Sequence, residues 1–401
     1  MWNLTKEAKE KFRKTNLLPI PETDEEWEMI IEEAKKEGEN LYERLREELA
    51  EVRDEFIQIV PERFIPYIEN GTINQPTLPK AVREEYVRWV EEKNKEFEQI
   101  LERAHANTRR AVSFLSKACQ EVFLDSLHDA KLVRIAREGN NVHLYLNTEG
   151  GFTEKAFVHL HFSRVVSEEC DPALQVGQFL IYHELQKTAH GFAFRALLDV
   201  PDSEWTIVAR LIDARYFYRP ALYTKLWNEE NLEDMPFEEF LKQLNRDQRY
   251  WLITPDGIFP VELVSGGIKL ANGSVQLEDQ ELVLTVGEKR WQYNLEKYHP
   301  AHFIYTDIYE DPYEQFNEPL PIEDLEAACF SDNRELQVRA WNTMYANPQQ
   351  CKDMINAILA RLESTDDDDT KVALEVFVTH FYEQGILTAE NIHKFRDILQ
   401  S

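Results

Sequence analysis

Val142-His-Leu-Tyr-Leu-Asn147, Thr148-Glu-Gly-Gly-Phe-Thr-Glu-Lys155 and Ala156-Phe-Val-His-Leu-His-Phe-Ser163 follow one another along the chain, and their reading decides the fold. Apolar side chains fall on every second position, at Val142, Leu144 and Leu146 and again at Val158, Leu160 and Phe162. Successive side chains of a strand point to opposite faces, so a period of two marks a sheet with one buried face. Gly150-Gly151 supplies a turn between the runs. Slipping the pairing by one residue would carry one apolar set to the wrong side, so the register that buries both sets keeps even positions together. His143, His159 and His161 then share the opposite face, beside Tyr145.

The alternation continues outward. Lys131 to Ala136, Gln178 to Gln186, Phe192 to Leu198 and Thr206 to Ala214, with turns at Gly139-Asn140 and His190-Gly191, predict a six-stranded antiparallel β-domain over 126–218. Before Ser126 the period is helical. Trp27, Ile30, Ile31, Ala34, Leu41, Leu45, Leu49, Val52 and Phe56 make one stripe over 24–60, capped by Thr23 or Asp24 and stopped by Pro61; Val82, Tyr86, Trp89, Phe97, Leu101, Ala104 and Ala111 make another over 80–124. Two stripes of similar length predict a long antiparallel helical hairpin over 1–125. Its seam needs further cover, from other elements or from a second copy in a homodimer.

Residues 219–297 read as a short acidic helix (232–244) followed by a second small β-region with strands near 251–254, 257–264, 275–277, 281–286 and 291–294. Residues 298–333 carry nine acids and no Lys or Arg, an acidic linker or exposed edge. Residues 334–401 hold helical stripes near 334–346, 349–362, 370–384 and 389–399, a C-terminal module of HEAT-like shape. The class is therefore α+β: helical hairpin, central antiparallel β-domains, helical module.

The charge, 45 − 74 = −29, argues against direct nucleic-acid binding, because phosphate neutralisation supplies most of that affinity. No stretch approaches the ~18 apolar residues of a membrane span, and the first residues open a charged helix rather than a leader, so a soluble cytoplasmic protein is expected. Cys119, Cys170, Cys329 and Cys351 show no Cys-x-x-Cys spacing and read as small apolar side chains rather than a disulfide scaffold or zinc site.

Chemistry-bearing patterns are sparse. His143, His159 and His161 could form a ligand cluster, and His159-Leu-His161 is similar to the His-x-His of cupin metal sites, but the spacings to Gly151 and Glu168 do not match; three histidines on a strand face need no metal. His183-Glu184 lacks the second histidine of a His-Glu-x-x-His zinc motif, Lys187 standing in its place, and alternation puts His183 in or beside a core. Gly-x-Ser-x-Gly and both glycine-rich phosphate loops are absent; Ser265-Gly266-Gly267 reads as a hairpin turn, and Asp366 to Asp369 as a helix cap rather than a calcium loop.

Leu18-Pro-Ile-Pro-Glu-Thr-Asp-Glu-Glu-Trp27, Phe64-Ile-Pro-Tyr-Ile-Glu-Asn-Gly-Thr-Ile-Asn74 and Ser126-Leu-His-Asp-Ala-Lys-Leu132, followed by short strands, resemble an uncharacterised bacterial domain-of-unknown-function family over residues 1–215. The resemblance implies a helical hairpin followed by a β-domain and transfers no catalytic residue. Leu127-His-Asp-Ala130 opening a strand is also similar to small β-domains of bacterial toxin-immunity proteins.

The expected function is non-enzymatic: an immunity-like or inhibitor protein that binds a basic protein partner and needs no cofactor. Asp307, Glu310, Asp311 and Glu314 in one run, and Glu229, Glu230, Glu233 and Asp234 in another, are the expected partner-binding residues, since runs without internal cations keep their field for an external one. The alternatives are a metal-dependent enzyme using His143, His159 and His161, and an acidic mimic of nucleic acid.

Overall fold

The computed structural model describes residues 2–265, 267–278, 280–295, 299–362 and 368–400. The chain is α+β, with N-terminal helices, antiparallel sheets in the middle and C-terminal helices. It divides into two compact units, one of residues 1–219, 249–261 and 303–308, the other of 220–248, 262–302 and 309–401.

In the first unit, α1 (Lys6–Thr15) and α2 (Asp24–Glu37) precede α3 (Leu41–Phe56), a short α4 (Ile65–Glu69), a 33-residue α5 (Lys80–Val112) and α6 (Lys117–Phe123). The stripe over 24–60, read from sequence as one helix, is thus carried by two. Thr23 and Glu26 form a reciprocal capping box at the start of α2, and Gly38, with φ of 72°, ends it in the left-handed conformation that glycine tolerates best. Gly38→Ala is expected to cost about 1 kcal/mol, read as a lowered urea midpoint, because open space around the Cβ leaves only backbone strain.

The two halves of the stripe join different clusters. Trp27, Ala34, Leu41 and Leu45 pack together, whereas Leu49, Phe56, Phe64, Tyr86 and Trp89 form an aromatic-rich core with the first turns of α5. The second helix expected over 80–124 likewise ends at Val112 and restarts at Lys117. The later turns of α5 leave the helical core and lie on the β-domain, with Phe97 against Tyr182 at 5.4 Å and Thr108 Oγ1 accepting from the Leu185 amide at 3.0 Å. Within this unit the β-domain therefore covers the later part of the α5 stripe.

The β-domain is a closed barrel of six antiparallel strands: β1 (Ala130–Glu138), β2 (Asn141–Asn147), β3 (Phe157–Asp171), β4 (Phe179–Thr188), β5 (Gly191–Asp199) and β6 (Ser203–Phe217), ordered β1-β2-β3-β6-β5-β4, with β4 returning to pair with β1. Closure leaves no edge. Register irregularities in β1, β3 and β4 mark bulges, which sharpen the bend that closure requires. Leu144, Leu160, Phe162, Phe194, Trp205 and Ile207 fill the interior, and α6 adds Cys119, Val122 and Phe123 to the same core. A hairpin of β7 (Tyr250–Thr254) with β8 (Gly257–Val264), the latter as far as Val261, and later β13 (Ile304–Thr306) paired to β7, also contribute to this unit. Trp251, Ile253 and Tyr305 pack there with Phe157 and Phe217.

The second unit contains α7 (Ala221–Asn228), α8 (Phe237–Gln243) and a meander of β9 (Gly267–Leu270), β10 (Gly273–Glu278), β11 (Glu281–Val286) and β12 (Lys289–Asn294). Its helical part comprises α9 (Leu325–Cys329), α10 (Arg334–Ala346), α11 (Lys352–Arg361), α12 (Asp368–Glu383), α13 (Ala389–Lys394) and α14 (Arg396–Gln400). Met344, Ile355, Ile358, Leu359, Val378 and Phe381 form its core. The Lys394 ammonium donates to the carbonyls of Leu359, Ala360 and Leu362, satisfying the open end of α11. Tyr298, at the head of the acidic stretch, Gly266, and Asp366 and Asp367 lie outside the described residues, as do the side chains of Asp368 and Asp369.

Candidate functional site

The β2–β3 register pairs Val142 with Phe162, His143 with His161, Leu144 with Leu160 and Tyr145 with His159. The three histidines do meet on the outer face of the barrel. Their rings stack in a ladder with Tyr145: Tyr145 to His159 at 4.4 Å, His159 to His143 at 5.3 Å and His143 to His161 at 4.1 Å, with interplanar angles of 14° or less. An imidazole binds a metal through a lone pair in its own plane, so the face-to-face rings of His143 and His161 do not aim at one point. Among the described residues no three His, Cys, Asp or Glu side chains form a metal-holding group. Instead His143 Nδ1 and His159 Nε2 share a hydrogen bond at 3.0 Å. Burial, with the neighbouring His143 and Arg215, pushes His159 down to about 3, and burial also lowers His143.

Adjacent residues of β4 face opposite ways, which separates His183 from Glu184. His183 packs between Phe123 and Phe194, at 5.9 Å and 6.0 Å. Burial and the nearby His105 push it down to about 4, against a hydrogen bond to the Phe123 backbone. Glu184 is buried against the N-terminal segment and α5. One of its oxygens accepts from the amides of Asn3 (2.9 Å) and Leu4 (3.0 Å); the other accepts from the side chains of Asn3 (3.0 Å), Asn107 (2.6 Å) and Gln186 (2.6 Å). Burial alone would raise this carboxyl; the donors outweigh it and hold it below the usual range.

A cleft of about 420 Å³ opens beside His183. Leu101, His105, Thr108 and Arg109 reach it from α5, Leu124 to His128 from the connection between α6 and β1, and Ile181 to His183 from β4. Ser126, Leu127 and His128, the start of the 126–132 segment quoted above, supply part of one wall. Asp125 is already engaged there: Lys155 and Thr153 donate to its Oδ2, each at 2.5 Å, and the Ser126 amide to its Oδ1 at 2.9 Å. Sequence reasoning missed His105, Arg109 and His128 as a group. The available signal was the 101, 105, 108, 109 row on one face of α5; nothing local linked that row to His128 or to β4.

The expected acidic residues occupy less uniform surroundings than their sequence suggests. Arg249 pairs with Asp307 at 2.5 Å, Glu233 approaches His302 at 3.4 Å, and Asp311 accepts from the Tyr313 amide at 2.9 Å. Glu229, Glu230, Asp234 and Glu314 remain exposed, and Asn245 donates to Glu310 at 3.3 Å. Within the second unit Asn228 donates to the Tyr313 hydroxyl at 2.6 Å, so Glu229 and Glu314 flank one contact in the chain, whereas Asp307 belongs to the first unit. Trp227, half exposed, stands beside this junction and meets His302 at 5.5 Å.

A closed six-stranded antiparallel barrel, with a long helix along β4 and a short helix completing its core, defines the class of the first unit. The chain belongs to the family described as Protein of unknown function (DUF4085), whose profile matches residues 3–209. No curated protein and no solved structure matches. No helix among the described residues is long and apolar enough to cross a membrane.

Proposed function

We propose that the protein is a non-enzymatic, cytoplasmic protein-binding protein, immunity-like or inhibitory in role, which captures a basic partner on the second unit. The supporting observation is the contact of Asn228 with Tyr313, each followed in the chain by an exposed acid, Glu229 and Glu314, with the exposed Trp227 next to Asn228. Acidic side chains at a rim speed encounter with a cationic partner, whereas a tryptophan anchor slows its departure. The likeness of Leu127 to Ala130 to immunity β-domains motivates the inhibitory form of this reading.

The test is to recover partners with the tagged full chain and follow association with each purified partner at low and high salt. The association rate should fall at least about tenfold between ~50 and ~300 mM salt. Replacing Glu229, Glu230 and Glu314 by glutamine should lower the low-salt rate several-fold and flatten its salt slope, while Trp227→Ala should mainly raise the dissociation rate. Unchanged kinetics in both variants would reject this surface.

A further inference from the structure

We propose that the cleft between α5, the α6–β1 connection and β4 binds a small aromatic carboxylate, with Arg109 meeting the carboxylate. Its volume, about 420 Å³, falls within the range of roughly 300 to 1,000 Å³ typical of small-molecule sites. The walls divide by chemistry. Leu101, Leu127 and Ile181 are apolar, and Phe123, Tyr182 and His128 bring aromatic rings to the cleft, the last two meeting edge to face at 5.7 Å. Such walls take up a flat ring, because aromatic groups favour stacked or edge-to-face neighbours.

The polar groups select charge. Arg109 is the one guanidinium on the wall, and it makes no ion pair among the described residues. Asp125, the one carboxylate on that wall, is committed to Lys155, Thr153 and the Ser126 amide, so it leaves Arg109 unneutralised. Arg109 is thus the charge on the wall left outside an ion pair, in a chain of net charge −29, with Asp129, next in the chain to His128, engaged by it at 3.0 Å. The general field opposes anions, so a ligand must add apolar burial to its ion pair, which a ring carrying a carboxylate does and an inorganic anion does not. A planar guanidinium matches a carboxylate with two parallel hydrogen bonds. Phosphate would gain from further cations, and the wall supplies no second Arg or Lys.

The experiment titrates the full chain calorimetrically with benzoate, benzamide and inorganic phosphate. Benzoate should saturate near millimolar concentration, and benzamide and phosphate should each bind at least about tenfold more weakly. Arg109→Gln should weaken benzoate by about tenfold, whereas Arg110→Gln, the same charge change one residue outside the wall, should leave affinity within about twofold. The proposal is overturned if benzoate shows no saturation by about 20 mM, if phosphate or benzamide binds as tightly, or if Arg109→Gln has no more effect than Arg110→Gln. The three-probe comparison uses the unaltered protein, so it stands even if a variant folds poorly.

Discussion

Glu184→Ala is expected to destabilise the first unit by about 3 to 5 kcal/mol, because it removes the acceptor of five hydrogen bonds, one of them from the buried Leu4 amide. The carboxylate ties together three segments distant in sequence: Asn3 and Leu4 from the N-terminus, Asn107 from α5 and Gln186 from β4 itself. Its loss should free the first segment before the barrel opens, so hydrogen exchange at the Leu4 amide should accelerate more than exchange inside β5. Glu184→Gln retains one acceptor oxygen but turns an NH₂ toward the remaining donors, and it should fall between wild type and alanine. A urea midpoint shift equivalent to under about 1 kcal/mol in the alanine variant would show that these bonds have ready replacements. The folded carboxyl lies below its unfolded value. Its contribution is therefore fully present above about 4.3 and is lost as pH falls through the folded value.

Stability should also fall by about 3 to 5 kcal/mol between pH 7 and pH 4.5, through His159 and His183. Their folded values, about 3 and about 4, lie below the ordinary 6.5 for a histidine. Above 6.5 both are neutral folded or unfolded, and they contribute no slope. Below it the unfolded chain binds protons that the folded chain resists, at about 1.4 kcal/mol per pH unit per group, until the folded histidines protonate too. The window ends about two units below the unfolded value, which limits the two groups together to about 5 kcal/mol, and solvent at the cleft edge of His183 lowers that further. A His159→Phe/His183→Leu variant should show a flatter profile between 6.5 and 4.5 whatever its absolute stability, because neither replacement titrates. An unchanged slope would assign the acid sensitivity elsewhere. This window lies above that of Glu184, so urea midpoints measured across pH separate the two effects.

What could be read from the chain and what could not divide along a physical line. The β2–β3 register, down to the placement of three histidines beside Tyr145, followed from parity: two short strands with a buried face have one pairing that buries both apolar sets. The helices of the C-terminal module were readable for the same local reason, and α10 spans Arg334–Ala346, as its stripe predicts. The break at Gly38 was harder, because the apolar spacing runs on across it. The contact between Asn228 and Tyr313 was also hidden, since a charge run carries no record of its distant neighbours.

By itself the sequence determined the α+β class, the acidic balance, most strand and helix positions and the face on which His143, His159 and His161 meet, because each depends on periodicity or composition within a few residues. Only the tertiary structure decided that six strands close into a barrel, that α5 divides its stripe between a helical core and β4, and that Glu184 gathers the N-terminus. It alone brought Arg109 and His128 to one cleft. The reason is that closure, hydrogen bonds to distant backbone amides and cavity walls are relations between segments up to 198 residues apart, and no local period encodes them.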